Sequence, residues 1–208
     1  MPTWIVLLRG INVGGHGLLP MKRLVELMES IGCTDVRTYI QSGNVVCTSK
    51  ITAASTLAQK IGKAILAGQG FEPKIMVLSR RELEAAIANN PYPMDDHKAL
   101  HLFFLAEPPT PENLARLAPI KHETEQYTLA GKVFYFYAPV AFGTSKIAAT
   151  FEKVVKVPAT ARNWRTVMAL HDLASPDKVA PDAPAAPRKR APRRVPTAAR
   201  ATATKHRR

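Results

Sequence analysis

Between Trp4 and Leu78 the hydrophobic residues change period in an order that few architectures accommodate. Trp4 to Leu8 is an unbroken apolar run suited to a buried strand. Leu24, Val25, Leu27, Met28 and Ile31 then recur at helical spacing, with Pro20 where a first turn would begin. Residues 36–41 and 44–48 read as two strands around Ser42-Gly43, residues 53–67 as a second helix, and 74–78 as another strand. The resulting order is β-α-β-β-α-β, that of a ferredoxin-like unit.

A second round follows. Ser79 and Glu82 stand at capping-box spacing and open a helix that stops at Asn89-Asn90-Pro91. Beyond it come a strand over 98–105, a short helix over 111–117, and strands over 123–129 and 133–137 that pair across Ala130-Gly131. Helices over 145–155 and 161–173 close the body, so this round reads β-α-β-β-α with its last strand replaced by a helix. The expected fold class is α+β. Two related ferredoxin-like subdomains, 1–80 and 81–177, precede a disordered basic tail over 178–208.

That tail accounts for most of the formal net charge of +13. Residues 178–208 hold 10 of the 29 Lys and Arg and one of the 16 Asp and Glu, a balance of +9, against +4 for the rest of the chain. Built of Ala, Pro, Thr, Lys and Arg, with Val179 and Val195 its only large aliphatics, the tail lacks the apolar surface that would offset ordering entropy. Arg188, Lys189, Arg190, Arg193 and Arg194 make it a candidate arm for nucleic acid without sequence preference; the alternative is a solubilising extension.

The body, in contrast, has the apolar content of a chain with a core, 46% over the whole sequence. No apolar run approaches the roughly 20 residues that span a bilayer, and the N-terminus lacks a signal-peptide pattern, so no membrane partner and a cytoplasmic location are expected. Cys33 and Cys47 are expected as free thiols. His97 and His101 run into a strand, which sets their rings roughly 13 Å apart at ~3.3 Å per residue, so no metal is expected there. Glu123 and Glu125 are expected as solvated charges on an edge strand.

Three polar stretches remain: Arg9-Gly-Ile-Asn-Val-Gly-Gly15, Tyr39-Ile-Gln-Ser-Gly-Asn-Val45 and Thr160-Ala-Arg-Asn-Trp164. Together, and in this order, they resemble a bacterial family known only as domain of unknown function 1697. The resemblance implies a duplicated ferredoxin-like architecture and brings neither an activity nor a cofactor.

Chemistry must therefore be sought in the residues. The glycine-rich loop before the helix at Met21 would present free amides to an anion. Lys22, Lys146 and Arg162 all fall in first turns of helices, where a cation opposes the helix dipole unless an anion offsets it. Trp164, Val167, Met168 and His171 share one helix face, which makes Trp164 a core anchor for its neighbours Arg162 and Asn163. Ser42 lacks the elbow of a nucleophilic serine, and no triad is identifiable.

Candidate ligand-binding residues are thus Arg9, Asn12, Gly14, Gly15, Ser42, Asn44, Lys146, Arg162 and Asn163. Arg9, Asn44 and Arg162, each at an element end, are expected to converge where the two subdomains meet. Three readings fit them. The cluster binds a phosphate-bearing small molecule or nucleic acid; or it forms the active site of an enzyme with Lys146 as an electrostatic group; or its residues lock the subdomains together. The absence of His, Cys and carboxylates from the three motifs favours binding over acid-base chemistry.

Overall fold

The structure, a computed structural model, describes residues 1–15 and 17–175. Its first sheet is antiparallel and contains β1 (Thr3–Arg9), β2 (Cys33–Tyr39), β3 (Asn44–Ser49) and β4 (Lys74–Ser79) in the order β2-β3-β1-β4. The helices α1 (Met21–Ser30) and α2 (Ala54–Gln69) cover one face of it. The alternation along β1 shows why its sequence is apolar throughout. Trp4, Val6 and Leu8 pack with Leu24, Met28, Leu57 and Ile61, while Ile5 and Leu7 point to a core on the other side.

The second sheet repeats this plan. It holds β5 (Leu100–Leu105), β6 (Gln126–Ala130), β7 (Val133–Tyr137) and β8 (Ala159–Asn163) in the order β6-β7-β5-β8, again antiparallel. Phe103, Leu105, Phe134 and Phe136 face Ile147 and Phe151 of α5 (Lys146–Val155), and the short α4 (Pro111–Ala115) closes that side.

Between the sheets lie α3 (Arg80–Ala88) and α6 (Trp164–Ala174). They form one core from both halves of the chain: Ile5, Leu7 and Val46 of the first sheet, Leu102, Phe104 and Tyr135 of the second, and Leu83, Trp164, Val167 and Leu170 of the helices. Trp164 is 3% exposed, the anchor its spacing predicts. The buried Tyr135 hydroxyl donates to the carbonyl of Ala86 at 2.8 Å, so the apolar layer carries a satisfied polar link as well.

The two ferredoxin-like units stand as expected, with corrections to two strands of the second. Residues 159–163 form the strand β8 against β5, with Phe103 opposite Ala161 and Leu102 opposite Arg162, and the last helix starts only at Trp164. The second unit therefore keeps its fourth strand. Ala-Thr-Ala-Arg-Asn carries no apolar run and its alanines favour helix, but pairing with β5 overrides that local preference. The strand expected over 123–129 also shortens, to 126–130, because residues 122–125 fold into a turn.

The expected tail, with Arg188, Lys189, Arg190, Arg193 and Arg194, lies outside the described residues. Among the described residues no helix is long and apolar enough to cross a membrane. Cys33 and Cys47 are buried free thiols.

Candidate functional site

Arg162 leaves β8 pointing at the first sheet, and all five of its N–H donors find oxygen there or nearby. Nε donates to Oδ1 of Asn44 at 2.5 Å; Nη1 donates to Thr160 Oγ1 and the carbonyl of Ala161, both at 2.8 Å; Nη2 donates to the carbonyls of Leu8 at 2.8 Å and Ser42 at 3.4 Å. None of these acceptors is a carboxylate. Burial pushes the guanidinium down to about 10, which still leaves it charged at neutral pH. Asn44 is fully buried at the head of β3 and donates Nδ2 to Ser42 Oγ at 2.7 Å and to the carbonyl of Tyr39. Arg162, Asn44 and Ser42 thus form a closed polar knot between the sheets.

Arg9 makes a second link nearby. At the end of β1 its Nη1 pairs with Glu152 Oε1 on α5 and donates to the carbonyl of Ala159 at 3.2 Å. The same carboxylate oxygen accepts the backbone N–H of Ala159 at 2.7 Å. Burial alone would raise the Glu152 carboxyl, but the hydrogen bonds from Arg9 and Ala159, with the charges of Arg9 and Lys74, hold it below its ordinary value. Of the three residues expected to converge, Arg162 and Asn44 meet as a lock, while Arg9 links the two halves separately through Glu152 and Ala159.

The remaining motif residues serve the backbone. Asn12 sits at φ 54° and staples its loop: Nδ2 donates to the carbonyls of Leu19 at 2.9 Å and Gln41 at 3.0 Å, while Oδ1 accepts the Leu19 N–H at 2.8 Å. Asn163 caps α6 through Oδ1, which accepts from the N–H of Thr166 at 2.9 Å. Gly14 and Gly15 adopt left-handed φ in an exposed turn. Gly43 is also left-handed, and a Cβ there would meet Leu8 Cβ at 2.7 Å, so that position requires glycine twice over.

Lys146 stands apart from the knot. It opens α5, whose N-cap Ser145 accepts from the N–H of Ala148 at 3.1 Å, and it is exposed. The α5 start forms one wall of a cleft of about 310 Å³ lined also by Thr144, Lys121, His122, Thr124 and Glu125, with Pro119, Ile120, Ala138 and Val140 as its apolar part. Lys121 Nζ is anchored on the carbonyl of Glu125 at 2.9 Å. The Thr124 N–H lies against His122 Nδ1 at 3.3 Å, and the Thr124 hydroxyl lies 2.9 Å from the same nitrogen.

Glu125 contradicts its expected place on a solvated edge. It is 4% exposed, because the 122–125 turn folds it under and Oε2 accepts the His122 N–H at 2.9 Å. Sequence reasoning missed Lys121, His122 and Glu125 as a group because only the turn and the facing α5 bring them together. Among the described residues no cluster of three or more His, Cys, Asp or Glu is placed to hold a metal ion.

A family model described as protein of unknown function, DUF1697, matches residues 1–135. The first two polar motifs lie inside that match, and Thr160–Trp164 lies beyond it. Among solved structures, a conserved bacterial protein from Streptococcus pneumoniae is similar, with a TM-score of 0.63 and 23% identity over 84% of this chain and 99% of that one. The likeness concerns the fold. No curated protein matches the chain.

Proposed function

The chain belongs to the DUF1697 family, whose description assigns no activity, and we propose that it is a binding protein for a small phosphate-bearing molecule held in the cleft at the start of α5. The observation that carries this reading is the composition of that cleft. The N-terminus of a ten-residue helix, the Thr144 hydroxyl and the side chains of Lys121, His122 and Lys146 surround about 310 Å³ of space. Unpaired amides and the positive end of the helix dipole favour an anion, and the cations add to that field. The volume sits at the lower end for small-molecule sites.

The knot around Arg162 supports the same placement by contrast. Its five donors are already taken, and Asn12 and Asn163 use their side chains on their own loops and helices. A ligand there would have to break those bonds. Lys146, which would oppose the dipole of α5 in an empty site, gains a favourable role beside a bound anion.

The test is calorimetric titration of wild type and Lys146→Glu with inorganic phosphate and a small phosphate ester. An acid at the first helical position suits the dipole, so the variant keeps its fold. Affinity should fall at least about tenfold, which corresponds to roughly 1.4 kcal/mol. Equal affinities in the two proteins would overturn the proposal.

A further inference from the structure

Resting on that reading, we infer that the ligand of the α5 cleft carries a primary ammonium group as well as its phosphate, and that Glu125 receives it. Glu125 is a carboxylate 4% exposed that makes no ion pair among the described residues. Its Oε2 accepts one backbone N–H, from His122 at 2.9 Å, and Oε1 has no protein partner among the described residues. The Lys121 ammonium, in the same turn, is held instead by the carbonyl oxygens of Glu125 at 2.9 Å and His122 at 3.4 Å. Carboxylates with this little exposure are normally paired, and Glu125 lines the cleft, so Oε1 is an acceptor open to a cation there.

Its position is also set in advance. The Glu125 N–H donates to the His122 carbonyl at 3.0 Å, and the Thr124 N–H donates to His122 Nδ1, so the turn is closed on itself and the carboxylate cannot swing into bulk water without breaking it. The same cleft is walled by the α5 start with Lys146. One ligand would then meet cations and helix amides with one end and an uncompensated carboxylate with the other, which selects an amino-phosphate over a plain phosphate. An anion alone would leave Glu125 repelling it.

Full-length wild type and Glu125→Gln are titrated calorimetrically with inorganic phosphate and with phosphoethanolamine. Glutamine keeps an oxygen for the His122 N–H, so the turn survives while the charge is lost. Wild type should bind phosphoethanolamine at least about tenfold more tightly than phosphate, the factor given by one charge-assisted hydrogen bond. In Glu125→Gln that preference should vanish, with phosphate affinity unchanged or higher. Equal binding of the two probes by wild type, or a preference that persists in Glu125→Gln, overturns the inference and leaves phosphate binding in the cleft intact. Failure of both probes to bind wild type overturns the inference and the proposed function together.

Discussion

Arg162 Nε donates to Asn44 Oδ1 across 118 positions of sequence, joining the fourth strand of the second sheet to the head of β3 in the first. Arg162 also bonds the chain around Asn44, at the carbonyls of Leu8 and Ser42, and Asn44 holds that same turn through Ser42 Oγ. Two of the most conspicuous polar motifs are thereby consumed in holding one half of the molecule to the other.

Disrupting this knot should cost stability. Asn44→Ala strands a buried guanidinium donor and should cost about 1–3 kcal/mol, and Arg162→Met, which strands several acceptors, about 3 kcal/mol or more. Urea unfolding of both singles and the double variant would give the coupling between them. A coupling of roughly 0.5–3 kcal/mol is expected for contacting residues, and additive effects would contradict the knot.

Glycine at position 43 is set by sterics as well as by φ. Gly43→Ala places a Cβ 2.7 Å from Leu8 and 2.9 Å from Ile11, at φ 71°, whereas Gly14→Ala at φ 59° meets nothing within 4 Å. The exposed substitution should cost only the left-handed conformation, roughly 1–2 kcal/mol, and Gly43→Ala clearly more. Thermal unfolding of the two variants compares them directly, and equal losses would contradict the close packing under Gly43.

Stability should fall with acid in two stages. His101 stacks on Phe142 with ring centroids 3.6 Å apart, and burial pushes it from 6.5 down to about 4, with the Ala99 carbonyl opposing in part. Between these values the unfolded chain takes up a proton that the native chain refuses, so stability present above pH 6.5 is lost toward pH 4, up to roughly 3 kcal/mol. Glu152 acts lower: its depressed carboxyl contributes stability above its ordinary 4.5, lost as pH falls through its native value. Urea midpoints against pH should lose the upper slope in His101→Phe and the lower in Glu152→Gln. Unchanged slopes would contradict these assignments.

The basic segment 178–208 is expected to bind duplex DNA without sequence preference. If about six phosphates are neutralised, affinity should drop on the order of a thousandfold between about 50 and 200 mM salt through counterion release. Comparing the full chain with residues 1–177 decides the matter. Equal affinities would place binding in the body, and absence of binding by both would leave the segment a solubiliser.

The strands and helices were legible where burial on both faces or one face leaves a period, as in Trp4–Leu8 and Leu24–Ile31. The strand 159–163 was not, because alanine and threonine carry no apolar signature and its partner β5 lies more than fifty residues earlier. Element ends adjoining glycine or tryptophan point to the meeting of Asn44 and Arg162, whereas Arg9 bonds Glu152 and Ala159 instead. The same signal marked Asn12 and Asn163 as ligand candidates, and their side chains turn out to be a loop staple and a helix cap. Spacing alone makes Glu125 solvated, since its burial depends on a turn and a facing helix, neither of which local spacing encodes.

Chemical-shift perturbation tests the central claim most directly, that the motif residues build the fold and the cleft at α5 does the binding. Inorganic phosphate is titrated into isotope-labelled protein while backbone amides are followed. Saturable shifts should appear at Thr144–Ala148 and His122–Glu125, with Arg9–Gly15 and Arg162 unmoved. Shifts centred on the Arg9–Gly15 loop or on Arg162, with the α5 start silent, would contradict it.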